Sequence, residues 1–262
     1  MIAKEKEKLC QEALQEYLNS GKSLRQISLN YKGITRDFLG GYFLGKGIDI
    51  YSRKSHINDH VFDKIDTEEK AYWLGFLYAD GNVHKSSKSW KIELTLKEGD
   101  LSHLKKFCTF VDFREVPKYR EKTKAYRVSF GSRIMAEQLI KYGCTERKSL
   151  TLKFPSEDVI PETLTRHFIR GYFDGDGCIT LRHNINKDIP VASLLGTKEF
   201  LSVLLEKINN NGIDILKKDK NNDSNTYYVR FKTKEGFCFM SYMYKDATIY
   251  LERKYNKYLL MD

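Results

Sequence analysis

No apolar run in these 262 residues reaches the ~18 residues a membrane-spanning helix needs, because charged residues interrupt every candidate. Met1 to Lys8 alternates lysine with glutamate, so the apolar centre of a secretory signal is missing too. Cysteine is sparse and odd in number: Cys10, Cys108, Cys144, Cys178 and Cys238, none spaced as Cys-x-x-Cys. That excludes a disulfide framework or a cysteine zinc site and leads us to expect a reducing, cytoplasmic setting. No complete Walker phosphate loop is present. His56 and His60 lack the further ligands, at suitable spacing, that a zinc centre requires. The start Met1-Ile2 and the end Leu260-Met261-Asp262 are not splicing termini, so no self-excising element is expected.

What is present is positive charge. Lysine and arginine number 45 against 35 acids, a net charge of +10. A surplus of that size suits a polyanion, with nucleic acid first and an anionic membrane surface second. The 41 % hydrophobic content is enough for a packed core, so disorder along the whole chain is excluded.

The pattern divides at about residue 58. Before it, Leu9, Ala13, Leu14, Tyr17 and Leu18 recur at helical spacing. Ser23 opens a second short helix, Gly33 turns the chain, and Thr35 caps a third helix carrying Phe38, Leu39, Tyr42 and Phe43. Three short helices with a glycine turn between the last two match a helix-turn-helix, in which the third helix offers Arg36, Asp37 and Lys46 to a DNA groove. Gly40-Gly41 inside that helix weaken it. The alternative is a small helical cap.

Residues 59–262 read as one unit written twice, 59–160 and 161–262. Ala71-Tyr-Trp-Leu-Gly-Phe-Leu-Tyr-Ala-Asp-Gly81 matches His167-Phe-Ile-Arg-Gly-Tyr-Phe-Asp-Gly-Asp-Gly177. After each come a turn, a strand (Lys91–Leu96; Pro190–Leu195), a helix and another strand (Tyr126–Phe130; Tyr228–Phe231). The strands alternate apolar with polar residues, which gives each one buried and one open face. Each half ends on the same triplet, Glu146-Arg147-Lys148 and Glu252-Arg253-Lys254. The expected fold is α+β: two pseudosymmetric halves with antiparallel strands, plus the all-α segment 1–58.

The repeated helix carries the chemistry. Gly75 and Ala79 lie one turn apart, as do Gly171 and Gly175. Small residues so placed let two backbones approach, and each stripe's simplest partner is its twin. Asp80 and Asp176 directly follow the stripes and precede Gly81 and Gly177, which read as helix-ending glycines in left-handed conformation. Two carboxylates facing each other at two negative helix ends call for a cation. Oxygen donors suit Mg²⁺, which also accepts phosphate oxygens.

Trp73–Gly81 and Ile169–Gly177 resemble the paired motifs of single-chain LAGLIDADG homing endonucleases, and the repeat similarity spans roughly residues 65–260. The resemblance implies αββαββα halves, a saddle-shaped β-surface on double-stranded DNA, and Mg²⁺-dependent cutting of both strands. Mn²⁺ or Ca²⁺ would occupy the same sites. It makes Asp80 and Asp176 the metal ligands, with the carbonyls of Ala79 and Gly175 as extra donors. Tyr78 replaces an acid common in the family at a position that is not the catalytic one. The family also places a lysine near the scissile phosphate. Lys97, aligned with Gly196 in the second half, is one candidate, and the matched Lys148 and Lys254 are the others.

DNA contacts are expected from strand faces and basic loops: Lys91, Lys118, Arg120, Lys122, Arg127 and Ser129 in the first half, and Arg182, Lys217, Lys218, Tyr228, Arg230 and Lys232 in the second. The expected protein is a monomer on duplex DNA with no membrane association. The competing readings are a non-cutting DNA-binding regulator and an RNA-splicing maturase on the same fold.

Overall fold

The computed structural model describes residues 3–20, 22–48, 57–85, 90–145, 148–184, 187–209, 214–217 and 225–260, with backbone alone at 3–4, 149, 181–184, 187–190, 217 and 233. The chain divides into two compact units, Met1–Ile57 with Phe113–Glu115, and Asn58–Asp112 with Val116–Asp262.

The first unit holds helices α1 (Ala3–Ser20), α2 (Leu24–Asn30) and α3 (Arg36–Gly45). Ser23 and Gln26 form a reciprocal capping box at the start of α2. The Thr35 hydroxyl accepts from Phe38 N–H at the start of α3. Between these two helices Gly33 takes φ 84°, a conformation that costs other residues more. Cys10, Ala13, Tyr17, Ile27, Ile34, Leu39 and Phe43 close a small core, with the Tyr17 and Phe43 rings 5.0 Å apart. Arg36 and Asp37 are exposed on α3. Lys46 is partly engaged, with Nζ 3.6 Å from Glu7 and over the Tyr42 ring.

The second unit repeats one pattern. Its first half runs α4 (Glu68–Ala79), β1 (Gly81–Lys85), β2 (Trp90–Lys97), α5 (Leu101–Phe110), β3 (Lys118–Arg120), β4 (Ala125–Phe130) and α6 (Arg133–Lys141). The second runs α7 (Glu162–Asp176), β5 (Gly177–Asn184), β6 (Lys187–Gly196), α8 (Lys198–Lys207), β7 (Leu216–Lys217), β8 (Tyr227–Lys232) and α9 (Thr233–Tyr244), followed by α10 (Glu252–Leu259). Each half builds an antiparallel four-stranded sheet, in the orders β1-β2-β4-β3 and β5-β6-β8-β7. Alternation decides the faces. Ile92, Leu94, Val128 and Phe130 are buried in the first sheet, and Leu194, Val229 and Phe231 in the second. Helices α5, α6, α8 and α9 pack on these sheets. No helix among the described residues is long and apolar enough to cross a membrane.

Helices α4 and α7 cross at the centre. Residues 71–78 of α4 are all buried, as is most of α7. A Cβ on Gly75 would fall inside the Phe168 carbonyl and 2.9 Å from Tyr172 N. A Cβ on Gly171 would fall inside the Tyr72 carbonyl and 2.9 Å from Phe76 N. The two contacts are the same contact under the pseudo-twofold. The backbones touch because neither helix has a side chain there.

Two expectations need correction. Gly81 and Gly177 are not left-handed caps; Gly177 has φ −79° and ψ 159° and opens β5 directly, with no turn. Glycine is needed there for space, since a Cβ would lie 2.6 Å from Leu77 O at Gly81 and 2.5 Å from Phe173 O at Gly177. Lys97 does not align with Gly196. Gly81 pairs with Leu94 and Gly177 with Leu194, so the register matches Lys97 to Thr197, the cap of α8.

Candidate functional site

Asp80 closes α4 with φ −99° and ψ −10°, its N–H donating to Phe76 O at 2.9 Å. Asp176 is the last residue of α7. A Cβ on Gly175 would stand 3.3 Å from Asp80 Oδ2, so the Asp80 carboxylate lies against the backbone one residue before Asp176. The helix crossing thus brings both acids to one place. Both residues keep an exposed surface.

The electrostatics follow. The Asp80 pKa is pushed up to about 6, first by loss of hydration and next by the Asp176 charge. Although the residue is open on one side, its carboxylate is ringed by protein on the others. Lys254, Lys148 and Arg253 pull the pKa back. Between the ordinary value near 4 and about 6, the folded state holds a proton that the unfolded chain has lost. Stability of the metal-free protein therefore falls as pH rises through that window and levels off above it. Removing this acid, as in Asp80→Asn, should raise the melting temperature of the metal-free protein relative to wild type, with a gap that opens between pH 4 and 6 and then stays constant. Thermal melts in chelator across that range would show it. The effect is on the order of 1 kcal/mol once solvent screening is allowed for.

The matched lysines occupy matched places. Lys148 donates to Gly81 O and Lys254 to Gly177 O, the carbonyls just after the two acids. Their surroundings differ. Lys254 is buried and also donates to Phe173 O at 2.5 Å and Asp174 O at 2.8 Å, with Gly175 O at 3.4 Å. An ammonium has three protons, so Lys254 is committed to the end of α7. Burial lowers the pKa of both lysines, that of Lys254 to about 8, which leaves it mostly charged at neutral pH. Lys97 is exposed at the end of β2 and is not among the charges that act most strongly on Asp80.

Arg253, which the sequence did not single out, is among those charges. Its Nε donates to both Asp100 oxygens, at 3.0 and 3.1 Å, tying α10 to the first half. Asp174 is fully buried and accepts from Tyr72 Oη at 2.8 Å, Tyr244 Oη at 2.5 Å and Leu251 N at 2.7 Å. That anchors the start of α10 and with it Arg253 and Lys254. In the first half the equivalent Tyr78 ties back to Tyr142 O. Hydroxyl-to-carbonyl thus does locally what a buried carboxylate does in the second half. Arg170, wholly buried, donates to Glu68 at 2.6 Å and to Met243 O and Ile249 O at 2.8 Å, joining the two halves at the other end of the helix pair.

The remaining candidates fall on strand faces and loops. Lys118 and Arg120 are exposed on β3, and Lys122 on the following turn. Lys91, Arg127 and Ser129 lie on the open face of the first sheet. Tyr228, Arg230 and Lys232 share the open face of β8, with the Arg230 guanidinium 5.3 Å from the Tyr228 ring centre. His56, Lys218 and the side chains of Arg182 and Lys217 lie outside the described residues. His60 bonds Asp63 at 2.8 Å. No cluster of three or more histidine, cysteine, aspartate or glutamate side chains suited to a metal occurs among the described residues.

No protein-family model matches the chain. The I-LtrWI LAGLIDADG homing endonuclease, solved bound to target DNA, superposes with a TM-score of 0.51 at 10% identity, covering 74% of this chain and 90% of that one. The LAGLIDADG homing endonuclease I-GzeII, solved in complex with a DNA target, gives 0.49 at 11% identity over 72% and 87%. The replication factor C small subunit of Methanocaldococcus jannaschii is 29% identical over 164 residues. That match takes in 58% of this chain and spans only 8% of the curated relative's length. The chain has the double-motif LAGLIDADG homing-endonuclease fold.

Proposed function

We propose that the chain is a site-specific DNA endonuclease that hydrolyses one phosphodiester in each strand of a long duplex target. One observation carries the reading: the α4–α7 crossing sets the Asp80 carboxylate against Gly175, beside Asp176, with both acidic residues exposed. One solved structure of similar fold, I-LtrWI, is a homing endonuclease bound to target DNA.

A divalent cation fits these residues. Two mutually repelling carboxylates at helix ends supply hard oxygen donors, and the carbonyls of Ala79 and Gly175 can add to them. Among the described residues two acid side chains come together here, so phosphate oxygens and water would complete the set, as suits Mg²⁺. Mn²⁺ or Ca²⁺ would take the same donors. Such an ion offsets phosphate charge and makes a nearby water a stronger nucleophile. Lys148 commits one proton to Gly81 O and keeps two for a phosphate oxygen. Lys254 holds the end of α7 in place, so that Asp176 keeps its position. The open sheet faces, with Arg127, Ser129, Tyr228, Arg230 and Lys232, read bases, while Lys118, Arg120 and Lys122 hold phosphates. In the three-part organisation we propose, segment 1–58 adds a further contact through Arg36 and Lys46.

The test is cleavage of a randomised duplex library with Mg²⁺, followed by sequencing of the cut ends. Paired ends in both strands at one consensus, lost in chelator, are expected. Selective binding with no cutting under any divalent ion would refute the nuclease reading.

A further inference from the structure

Register defines the open face of the first sheet. Asn82, Glu93 and Ser129 form one row across β1, β2 and β4. Thr95, Arg127 and Lys118 form the next, and Lys97 and Arg120 flank Ala125 beyond it. His84 and Lys91 stand on the other side. The charged side chains in these rows are Lys91, Lys97, Lys118, Arg120, Arg127 and a single acid, Glu93. An acid in the middle of a cationic face opposes the approach of a polyanion.

Its contacts explain why it is there. Glu93 Oε1 accepts from Ser129 Oγ at 3.0 Å and is ion-paired with Lys91 Nζ at 3.1 Å and with Arg127 Nη2. Arg127 Nε is buried with no partner among the described residues, so the pair with Glu93 is what orients the guanidinium. The pair is mostly covered, so the cost of stripping water from both charges offsets much of their attraction and its net contribution to folding is small. What it does is hold a long side chain in one pose, which reduces the entropy lost when the fork meets a ligand. The second sheet lacks the device: by register Ser193 stands where Glu93 does and Tyr228 where Arg127 does.

A guanidinium fork matches O6 and N7 of guanine, and a carboxylate matches the N4 amino group of cytosine. Both belong to one base pair. Those three partners all meet Oε1, and none of them meets Oε2. We infer that Glu93 and Arg127 together read one G·C pair in the major groove, Arg127 donating to guanine and Glu93 Oε2 accepting from cytosine. This rests on the DNA-reading function proposed above.

The experiment is a binding selection from randomised duplexes without divalent metal, using the full chain. Wild type is compared with Glu93→Gln, Arg127→Lys and, on the other sheet, Arg230→Ala. Wild type should fix a G·C pair at one position. Glu93→Gln should cut that preference roughly five- to a hundredfold, leave other positions alone, and raise non-selective affinity because an acid has gone. Arg127→Lys, which keeps the charge but not the fork, should lose the same position, and Arg230→Ala a different one. An unchanged consensus with Glu93→Gln, or equal loosening at every position, overturns the inference alone. A wild-type protein that selects no sequence overturns it together with the DNA-reading function.

Discussion

Asp80→Asn or Asp176→Asn is expected to remove double-strand cleavage while leaving DNA affinity equal or slightly higher. The side chains are nearly isosteric, and both residues sit at the exposed ends of α4 and α7, so neither change disturbs the crossing. What changes is charge. An amide is a weaker donor to a hard cation and no longer balances it. Losing a group that merely supports a metal ligand typically costs 10–100-fold in activity. Losing the ligand itself should therefore cost more than about 100-fold. Affinity should hold because a carboxylate near a phosphate repels it when no cation intervenes. Cleavage time courses with excess Mg²⁺, alongside binding in chelator, separate the two quantities. Undiminished cutting by either variant would refute its metal role.

The second large effect is on the fold. Gly171→Ala or Gly75→Ala puts a methyl group into the partner helix's backbone, where the carbonyls of Tyr72 and Phe168 already stand. The obstruction is backbone, so no rotamer change relieves it, and the helices must separate. Overpacking a well-filled core costs about 1–3 kcal/mol, and this case belongs at or above the top of that range. For a chain of this size that corresponds to roughly a 10 °C fall in melting temperature. Any variant that stays folded should also lose cleavage, because separating the helices carries Asp80 away from Gly175. Thermal melts and cleavage measured on the same preparations would test both. A variant that melts and cuts like wild type would show that the contact is not tight.

The central pairing was legible because it rests on side chains that are missing. Gly75 with Ala79, and Gly171 with Gly175, mark a flat stripe that any reader can locate, and duplication turns two stripes into a crossing. Strand faces were legible from alternation, as in Ile92, Leu94 and Leu96. What depended on backbone position was not. Nothing in the sequence shows that Gly81 and Gly177 run straight into strands, because crowding by Leu77 O and Phe173 O is a three-dimensional fact. The matched triplets marked Lys148 and Lys254 as equivalent but could not show that Lys254 spends its protons on helix carbonyls. Pairings across the chain, such as Arg253 with Asp100, carry no local pattern. Glu93 and Arg127 were both visible as polar strand residues, and only the β2–β4 register makes them diagonal neighbours. Lys97 was misaligned by one residue, enough to exchange Gly196 for Thr197.

The most direct test of the proposed metal site is a Mn²⁺ titration of the protein–duplex complex followed by electron paramagnetic resonance. If Asp80 and Asp176 hold the ion, the wild-type complex takes up Mn²⁺, the single Asn variants take up less or bind it more weakly, and the double variant takes up none beyond DNA alone. Equal uptake at equal affinity by wild type and the double variant would contradict the account.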